Sequence, residues 1–481
     1  MINTKIRTIW VFCIFLLIMT ISVSAETKLS QITQYGITWT FEKPVVAGKF
    51  ITGDWWVVGP VKVICVSPTP GSIGKDNTRI SLNHWNDTSL RQDTTMRNGS
   101  MIVDKPGVSQ GYDSRNQLFN INDCVTFPLE LKPNQTLIST ESNENIPVDN
   151  FCKEWMTQGE KKVKTVLKSA AVLTCLSEIP PIDAFRPPYA GKIKPVYLSR
   201  NINWNKLPKL KSISLTPSWS EFERYFQRPW IDHFLSWQQQ EVVPNENGPN
   251  YGREHARLIS IASLMLMLDV PQKTKEKLTI EMIQRGIDLY GLAMAGGSWN
   301  VGGGHSSGRK WPILFASIML NDSTISQLPE TAIFQEDAQT YYGDGWNGQK
   351  VLWQMILHHG IREPYEEKQP QKWEKWDKVS ESYRLCCTGS AWIGTALAAR
   401  YMHAVQLWGH DAFFDYVERW MSTSDSKLVD IKLRPKEESK AYDLFVTEMW
   451  KAYRKNAPKQ PNSGKNFKWI WDGKNGKMIP N

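Results

Sequence analysis

Hydrophobic periodicity changes once along this chain, and that change constrains its fold more than any other feature. Before the Pro-rich linker that ends at Leu207-Pro208, apolar residues alternate or cluster in short runs, as at 37–41, 55–58 and 61–66. Such runs, separated by Pro and Gly turns, are typical of strands in a β-sandwich-like domain. After the linker, apolar and aromatic residues recur at the spacing of helices. The pattern predicts an α+β multidomain chain in which a β-rich domain precedes an all-α domain.

The second half contains seven or eight predicted helices separated by Gly-rich loops, a pattern that favours an α/α toroid in which helix pairs surround a central cleft. An irregular all-α bundle is the alternative. We therefore place the β-rich domain at residues 26–200, the α/α toroid at 201–455, and a basic C-terminal tail or hairpin at 456–481. The predicted helices are 222–239, 253–268, 273–294, 311–320, 348–359, 390–407, 411–421 and 441–455.

The N-terminus has the three parts of a secretory signal peptide. Lys5 and Arg7 supply a basic region, residues 9–21 are almost entirely apolar, and residues 23–25 are small enough for cleavage. Removing residues 1–25 leaves 481 − 25 = 456 residues, and losing two cations lowers the formal charge from +9 to +7. We expect an exported protein, periplasmic or secreted. We expect no membrane span, since no later run approaches the ~20 apolar residues that one needs.

Positive charge is concentrated near the C-terminus, which bears on the partners of the protein. From Ser426 onward there are 13 Lys and Arg against 6 Asp and Glu, and the rest of the mature chain is near neutral. A nucleic-acid-binding protein would carry a basic face within its fold, so no nucleic-acid partner is expected. A basic exported chain with 22 tryptophans suits an acidic polysaccharide or oligosaccharide. No metal-binding or nucleotide-binding motif is present in the sequence, and we expect neither a metal nor another cofactor.

The cysteines form no pattern typical of zinc sites. Four of them, at positions 65, 124, 152 and 175, precede the linker, and one or two disulfides among them fit an oxidising compartment. Cys386 and Cys387 are adjacent. We expect two buried free thiols there rather than a vicinal disulfide, because free cysteine is commonly a core residue.

A first candidate binding motif opens the helix predicted from residue 253. Asn250, Tyr251, Arg253 and His255 follow a Gly-Pro loop, and we predict that they contact substrate. A guanidinium grips planar anions with two hydrogen bonds, so an arginine here suits a carboxylate or sulfate group. The alternative is an ordinary helix start with solvated arginines.

The second candidate motif is the glycine-rich stretch from residue 296 to residue 311. Ordering so many glycines is entropically costly, and close approach of backbone to a ligand would explain them. His305 lies in the middle of this loop, and we predict that it is catalytic. Trp299 and Arg309 are predicted to bind substrate. A structural histidine is the alternative.

Two further loops supply phenols for acid–base chemistry. Tyr342 lies in the segment YYGDGWNG, and Tyr383 precedes Arg384 in the segment SYRLCCTGS. We predict catalytic roles for both tyrosines and substrate binding for Arg384, whose cation would lower the pKa of Tyr383 if the two are close. Packing is the alternative for each. In the β-rich half, the polar and aromatic segments 53–56 and 97–115 are expected to form a wall where the two halves meet.

Residues 53–61 read GDWWVVGPV and residues 110–115 read QGYDSR. With the loops above, they resemble exported proteins of marine polysaccharide-degrading bacteria. The layout is similar to toroidal polysaccharide lyases that act on uronic acids and to the oligosaccharide dehydratase of ulvan breakdown. The resemblance covers most of the mature chain.

This resemblance implies a carbon–oxygen lyase that abstracts the C5 proton of a uronate and expels the group at C4, giving a 4,5-unsaturated sugar. An arginine with Asn250 would neutralise the carboxylate, His305 would act as base or neutraliser, and a tyrosine would exchange the remaining proton. The enzyme is a polysaccharide lyase if C4 carries a sugar and a dehydratase if it carries a hydroxyl group. A toroidal glycoside hydrolase and a noncatalytic glycan-binding protein are the alternatives.

Overall fold

The structure is a computed structural model. The predicted signal peptide and the candidate residues Asn250 and Tyr251 lie outside the residues that it describes. So do Cys152 and the last two residues of the predicted helix 348–359, at positions 358 and 359. The described residues are 27–71, 96–116, 118–143, 165–248, 252–300, 302–357, 360–361, 364–422, 441, 443–472, 474 and 477–480.

The first half forms one eight-stranded sheet that curls into a half barrel. Strand order is β5-β7-β8-β3-β2-β4-β6, and β1 pairs with β2 beside this path. The strands are β1 (Thr27–Gln34), β2 (Ile37–Lys49), β3 (Trp55–Val58), β4 (Val61–Ser67), β5 (Ser100–Ile102), β6 (Leu129–Leu131), β7 (Thr136–Ser142) and β8 (Leu167–Leu176).

The predicted β-sandwich is therefore wrong, although β3 and β4 fall where the alternation placed strands. A sandwich has two facing antiparallel sheets, whereas here β3 and β8 pair in parallel and join the strands into one sheet. Parallel pairing needs a long connection, and more than one hundred residues separate these two strands. Local alternation identifies a strand but not its partner, which is why the sequence pattern did not predict this topology.

Helices dominate the second half but do not form a toroid. They are α1 (Trp219–Phe226), α2 (Gly252–Leu266), α3 (Gln272–Met294), α4 (Lys310–Leu320), α5 (Gln335–Ala338), α6 (Lys375–Tyr383), α7 (Gly389–Tyr401), α8 (Val405–Trp408), α9 (Asp411–Ser422) and α10 (Leu444–Tyr453).

The prediction of an all-α toroid is wrong because this half also contains three two-stranded sheets and irregular segments. The segment predicted as helix 348–359 contains β10 (Val351–Trp353) and β11 (Ile356–Leu357). Its run of β-branched and aromatic residues pairs with other strands instead of completing a helix. The three pairs are β9 (Thr340–Tyr342) with β10, β11 with β12 (Gly360–Ile361), and β13 (Trp469–Asp472) with β14 (Lys477–Pro480). The overall class is a mixed α/β chain.

One hydrophobic core runs through both halves. It joins Met101 of β5 and Val172 of β8 to Leu264 of α2 and Met282 of α3. Backbone hydrogen bonds cross the junction as well, since Gly107 donates to the His233 carbonyl at 2.9 Å. Across the described ranges, no helix combines the length and apolar character needed to span a membrane.

A buried ionic clamp joins the sheet to the helices. Arg186, which is 1% exposed, donates to Asp54 at the start of β3 at 2.7 Å and to both oxygens of Asp288 on α3 at 2.8 and 2.6 Å. A fourth bond goes to its neighbouring Pro187 carbonyl at 3.0 Å. Because removing one member of a buried ion pair leaves an unpaired charge in the interior, this clamp is sensitive to substitution.

Replacing Arg186 with Met tests the clamp. We expect the Arg186→Met variant to lose about 3–5 kcal/mol of unfolding free energy, because Asp54 and Asp288 become buried carboxylates without their cation. Urea denaturation followed by circular dichroism measures the loss. Arg200→Met is the matched control, since it breaks an exposed ion pair with Asp183 and should have a much smaller effect. Equal losses in the two variants would contradict the prediction.

Candidate functional site

Two segments far apart in sequence pack together at the glycine-rich loop. A β-carbon built on Gly303 would lie 3.0 Å from the Tyr383 ring and 3.2 Å from the His305 ring. One on Gly304 would lie 2.3 Å from the Cys387 carbonyl oxygen. Both glycines have positive φ, at 70° and 82°, so geometry and space each favour glycine here. The close approach predicted for this loop is therefore to other protein backbone.

The turn that receives the loop, Arg384–Thr388, is a five-residue π-helix between α6 and α7. Isolated π-turns often occur at functional sites because they displace side chains from the helical pattern. Cys386 and Cys387 form a disulfide in this turn, so the expectation of two free thiols is wrong. Among the described residues before the linker, Cys65, Cys124 and Cys175 are free thiols.

His305 is only partly buried and lies beside an aromatic residue that the sequence analysis did not select. The rings of His305 and Trp237 are 6.1 Å apart between centroids, and Trp237 is itself partly exposed. Trp237 begins the short 3₁₀ helix Trp237–Glu241. An imidazole and an indole thus meet at a surface that solvent reaches.

Arg253 approaches the same turn from α2. Its guanidinium donates to the Cys386 carbonyl at 2.9 Å and to Glu254 at 2.8 and 2.5 Å. The arginine side chain is 15% exposed. Burial would raise the pKa of Glu254, but Arg257 and Arg253 outweigh it and the net pKa is lowered. The ionised glutamate therefore anchors Arg253 next to the turn.

His255 and Arg309 belong to a separate, fully buried network around Asp232. Arg309 donates to Asp232 at 2.9 Å and contacts Nδ1 of His255 at 2.9 Å, and Arg285 makes a further ion pair with Asp232. Each of these four side chains is at most 4% exposed. The predicted substrate-binding roles of His255 and Arg309 do not agree with this position, because Asp232 already occupies the guanidinium and protein surrounds both side chains.

Electrostatics in this network follow from burial and from two cations sharing one anion. Burial alone would raise the pKa of Asp232, but Arg285 and Arg309 reverse the effect and lower it. The pKa of His255 lies well below its usual value, because of burial and then Arg309. His255 is therefore neutral at pH 7 and accepts a hydrogen bond from Arg309.

Two other predicted site residues lie in separate environments. The Tyr342 hydroxyl donates to Asp415 at 2.5 Å. Trp299 is 1% exposed and stacks on Phe334 with 5.5 Å between ring centroids, as expected for a core residue. Neither position supports a role beside His305.

Arg384 also lies away from solvent, at 2% exposure. It donates to Glu381 at 2.6 and 2.8 Å, which leaves it no open face for substrate. The prediction that this cation lowers the pKa of Tyr383 is wrong, because burial raises that pKa.

The carboxyl group of Glu336 contacts the backbone of the glycine-rich loop and has a raised pKa. Glu336 is 2% exposed, and the Gly308 amide donates to its Oε2 at 3.4 Å. Burial and then the neighbouring Asp337 raise the pKa of Glu336 to about 7. Asp337 is held by Lys310 and by the Trp408 indole. Asp344, by contrast, is exposed and pairs with Lys350.

His305, Tyr383 and Arg253 could be selected from the sequence, but the residues that surround the site or hold its loop could not. Trp237, Asp232 and Arg285 stand in segments with no glycine-rich or adjacent-tyrosine signal, so local pattern does not single them out. Glu336 could have been selected from the sequence, because it is a carboxylate in the segment that precedes the loop of Tyr342.

Comparisons with family models, with curated proteins and with solved structures returned no match for this chain. The assignment of a function therefore depends on the geometry of the site. Within the described ranges, no group of three or more His, Cys, Asp or Glu side chains is arranged to hold a metal ion.

Gly304→Ala tests the contact between the loop and the π-turn. We expect a loss of about 2–5 kcal/mol in unfolding free energy, from a left-handed backbone with a β-carbon and from its clash with the Cys387 carbonyl. Gly296→Ala is the matched control: φ is also positive, at 100°, but its β-carbon would meet nothing within 4 Å. We expect only the backbone cost of about 1–2 kcal/mol there. A control as damaging as Gly304→Ala would show that the clash is absent.

Glu336→Gln tests the raised pKa. As pH rises from about 4.5 to about 7, the unfolded chain releases the Glu336 proton before the folded protein does, so the wild type loses stability that the glutamine variant keeps. A shift of this size corresponds to about 3 kcal/mol of relative stability, fully developed above pH 7 and absent below pH 4.5. Unfolding free energies measured from pH 4 to pH 8 check it. Parallel pH profiles would show an ordinary pKa.

Proposed function

We propose that this protein is a β-eliminating carbon–oxygen lyase that acts on a uronic-acid-containing, ulvan-type polysaccharide or oligosaccharide. The observation that carries the proposal is that the loop of His305 packs against Tyr383 and the π-turn, and that Arg253 contacts the same turn, although these residues come from three separate segments. All three are partly exposed. An imidazole, a phenol and a guanidinium are the groups that this elimination needs.

In the proposed reaction, the imidazole of His305 takes the proton from C5 of the uronate. The electron pair of the broken C–H bond forms the C4–C5 double bond, and the bond from C4 to its oxygen substituent breaks. Tyr383 donates a proton to the departing oxygen. Because burial raises the pKa of Tyr383, its phenol is protonated at neutral pH and able to donate.

In this proposal Arg253 neutralises the uronate carboxylate, which makes the C5 proton more acidic. Its contacts with Glu254 and the Cys386 carbonyl hold the guanidinium in place before substrate arrives, so little ordering is needed on binding. Trp237 offers an aromatic face beside His305 on which a pyranose ring would stack. These roles replace the ones predicted for Arg309 and Trp299.

The group on C4 decides the reaction class. If it is a sugar, the enzyme cleaves a chain as a polysaccharide lyase; if it is a hydroxyl group at a non-reducing end, water leaves and the enzyme is a dehydratase. The predicted export signal and the uronate-lyase resemblance both support an extracellular acidic glycan as substrate.

A glycoside hydrolase is the second candidate, and Glu336 is the observation that favours it. A carboxyl with a pKa of about 7 suits a general acid in glycoside hydrolysis. Its burial beneath the loop would require the loop to move before it could protonate a glycosidic oxygen.

Incubation of the purified protein with ulvan, alginate, glucuronan and their pre-digested oligomers tests the proposal. We expect ultraviolet absorbance from the conjugated double bond and, for a dehydratase, products lighter by one water. His305→Ala and Tyr383→Phe should each lower the rate at least ~100-fold, the usual worth of a general acid or base. Tyr342→Phe is the control, since its hydroxyl binds Asp415, and it should retain the rate.

Other outcomes would contradict elimination. Reducing sugar without the double bond, lost in Glu336→Gln, would identify a hydrolase. Saturable glycan binding without turnover, unchanged in His305→Ala, would identify a binding protein. Undiminished elimination in both His305→Ala and Tyr383→Phe would place the catalytic site elsewhere.

A further inference from the structure

A pocket lies at the junction of the sheet and the helices, apart from the glycine-rich loop. Its unfilled space of about 330 Å³ includes open solvent, and the room for the centres of water-sized groups is only about 20 Å³. The pocket therefore suits a small ion and not a glycan chain. Its wall includes Asp54, Arg186 and Asp288 of the ionic clamp, together with Arg228, Glu281 and Arg285.

Several polar atoms in this wall have no hydrogen-bond partner within the protein. The donors are Nε and Nη1 of Arg285 and Nη1 of Arg228, the acceptor is Oε1 of Gln284, and Oε2 of Glu281 is unpaired as well. Arg285 is 4% exposed and Gln284 is 6% exposed. Because buried polar groups in proteins are almost always paired, a concentration of unpaired ones around one pocket points to a ligand that pairs them.

Their orientations are settled by contacts on the far side. The Gln284 amide nitrogen donates to the Arg186 carbonyl at 2.9 Å, which leaves the amide oxygen of this lining residue to accept from a ligand. Arg285 uses Nη2 for Asp232, and its guanidinium lies over the Trp230 ring at 4.4 Å. Arg228 lies over the Tyr35 ring at 4.4 Å.

The charges around the pocket do not balance. Four arginines, at positions 186, 228, 285 and 309, face three aspartates, at positions 54, 232 and 288, in the pocket wall and the adjoining network, and Arg228 is the one of the four that makes no ion pair with an aspartate of the described ranges. The difference, 4 − 3, is one positive charge. Glu281 does not cancel it at pH 7, because burial raises its pKa to about 9. A bound anion would restore neutrality.

We propose that this pocket binds a small oxyanion that also carries a hydroxyl group, held by Arg228 and Arg285 through its anionic oxygens and by Gln284 through its hydroxyl. Hydrogen phosphate and a short hydroxycarboxylate share this chemistry. The ligand would connect the sheet-facing wall to α3 and, through Asp232, to the buried network. The site is independent of the proposed lyase activity.

Isothermal titration calorimetry of the purified protein at pH 7 tests the proposal with phosphate, glycolate, sulfate and acetate at matched ionic strength. We expect saturable binding of phosphate, glycolate or both, at least tenfold tighter than that of sulfate or acetate, which lack the hydroxyl group or its proton. Preference for one of the two tells whether the natural ligand is a phosphate or a hydroxycarboxylate.

Variants separate a built site from general attraction to a basic protein. Arg228→Gln should weaken binding at least tenfold. Gln284→Leu keeps every charge and should abolish the preference for hydroxylated ions. This variant still tests the proposal if Arg228→Gln fails to fold. Arg224→Gln, a nearby arginine outside the pocket wall, should bind as the wild type does. No saturable binding of phosphate or glycolate, or binding unchanged in both pocket variants, would overturn the proposal.

Discussion

The arrangement of the whole chain depends on one buried cation. Arg186 sits between Asp54, which precedes β3, and Asp288 in the middle of α3, with all three side chains nearly inaccessible to solvent. Its planar guanidinium presents donors in two directions, so it can bind both carboxylates at once, which a lysine could not do with the same geometry. Buried ion pairs contribute little net stability compared with apolar packing, but they penalise every arrangement in which a charge is left alone. The clamp therefore specifies how the sheet meets the helices.

Buried polar contacts also hold the loop that carries His305. The loop that carries it has no regular structure of its own, and its shape comes from groups beneath it. The Ser306 amide donates to Gln335 at 2.8 Å, and the Ser307 hydroxyl accepts from the Trp392 indole at 3.1 Å. Arg309 then attaches the end of the loop to Asp232. A buried polar framework thus holds a partly exposed imidazole in place, which is the arrangement that positions catalytic groups well.

The predictions from sequence succeeded where the signal was local. Alternation located β3 and β4, and helical periodicity located α2, α3 and α4 within a few residues. Glycine content identified the loop of His305 as unusual. The predictions failed where residues of the same type have different surroundings. Arg253 and Arg309 both follow glycine-containing loops in the sequence. Arg253 is partly exposed beside the π-turn, whereas Arg309 is buried in an ion pair with Asp232.

The sequence by itself therefore determined the positions of β3, β4, α2, α3 and α4 and of the glycine-rich loop, because hydrophobic period and glycine conformational freedom act over a few residues. It did not determine the strands within residues 348–359, which depend on pairing with other segments. Tertiary structure alone decided that β3 pairs in parallel with β8, that the loop of His305 packs against Tyr383 and the π-turn, and that Arg253 contacts the same turn. These outcomes depend on contacts between residues that lie more than fifty positions apart. The bond between the adjacent Cys386 and Cys387 is local, but the sequence pattern did not distinguish it from two free thiols. Burial also sets which charges are paired internally and which can reach a ligand, and no local pattern reports it.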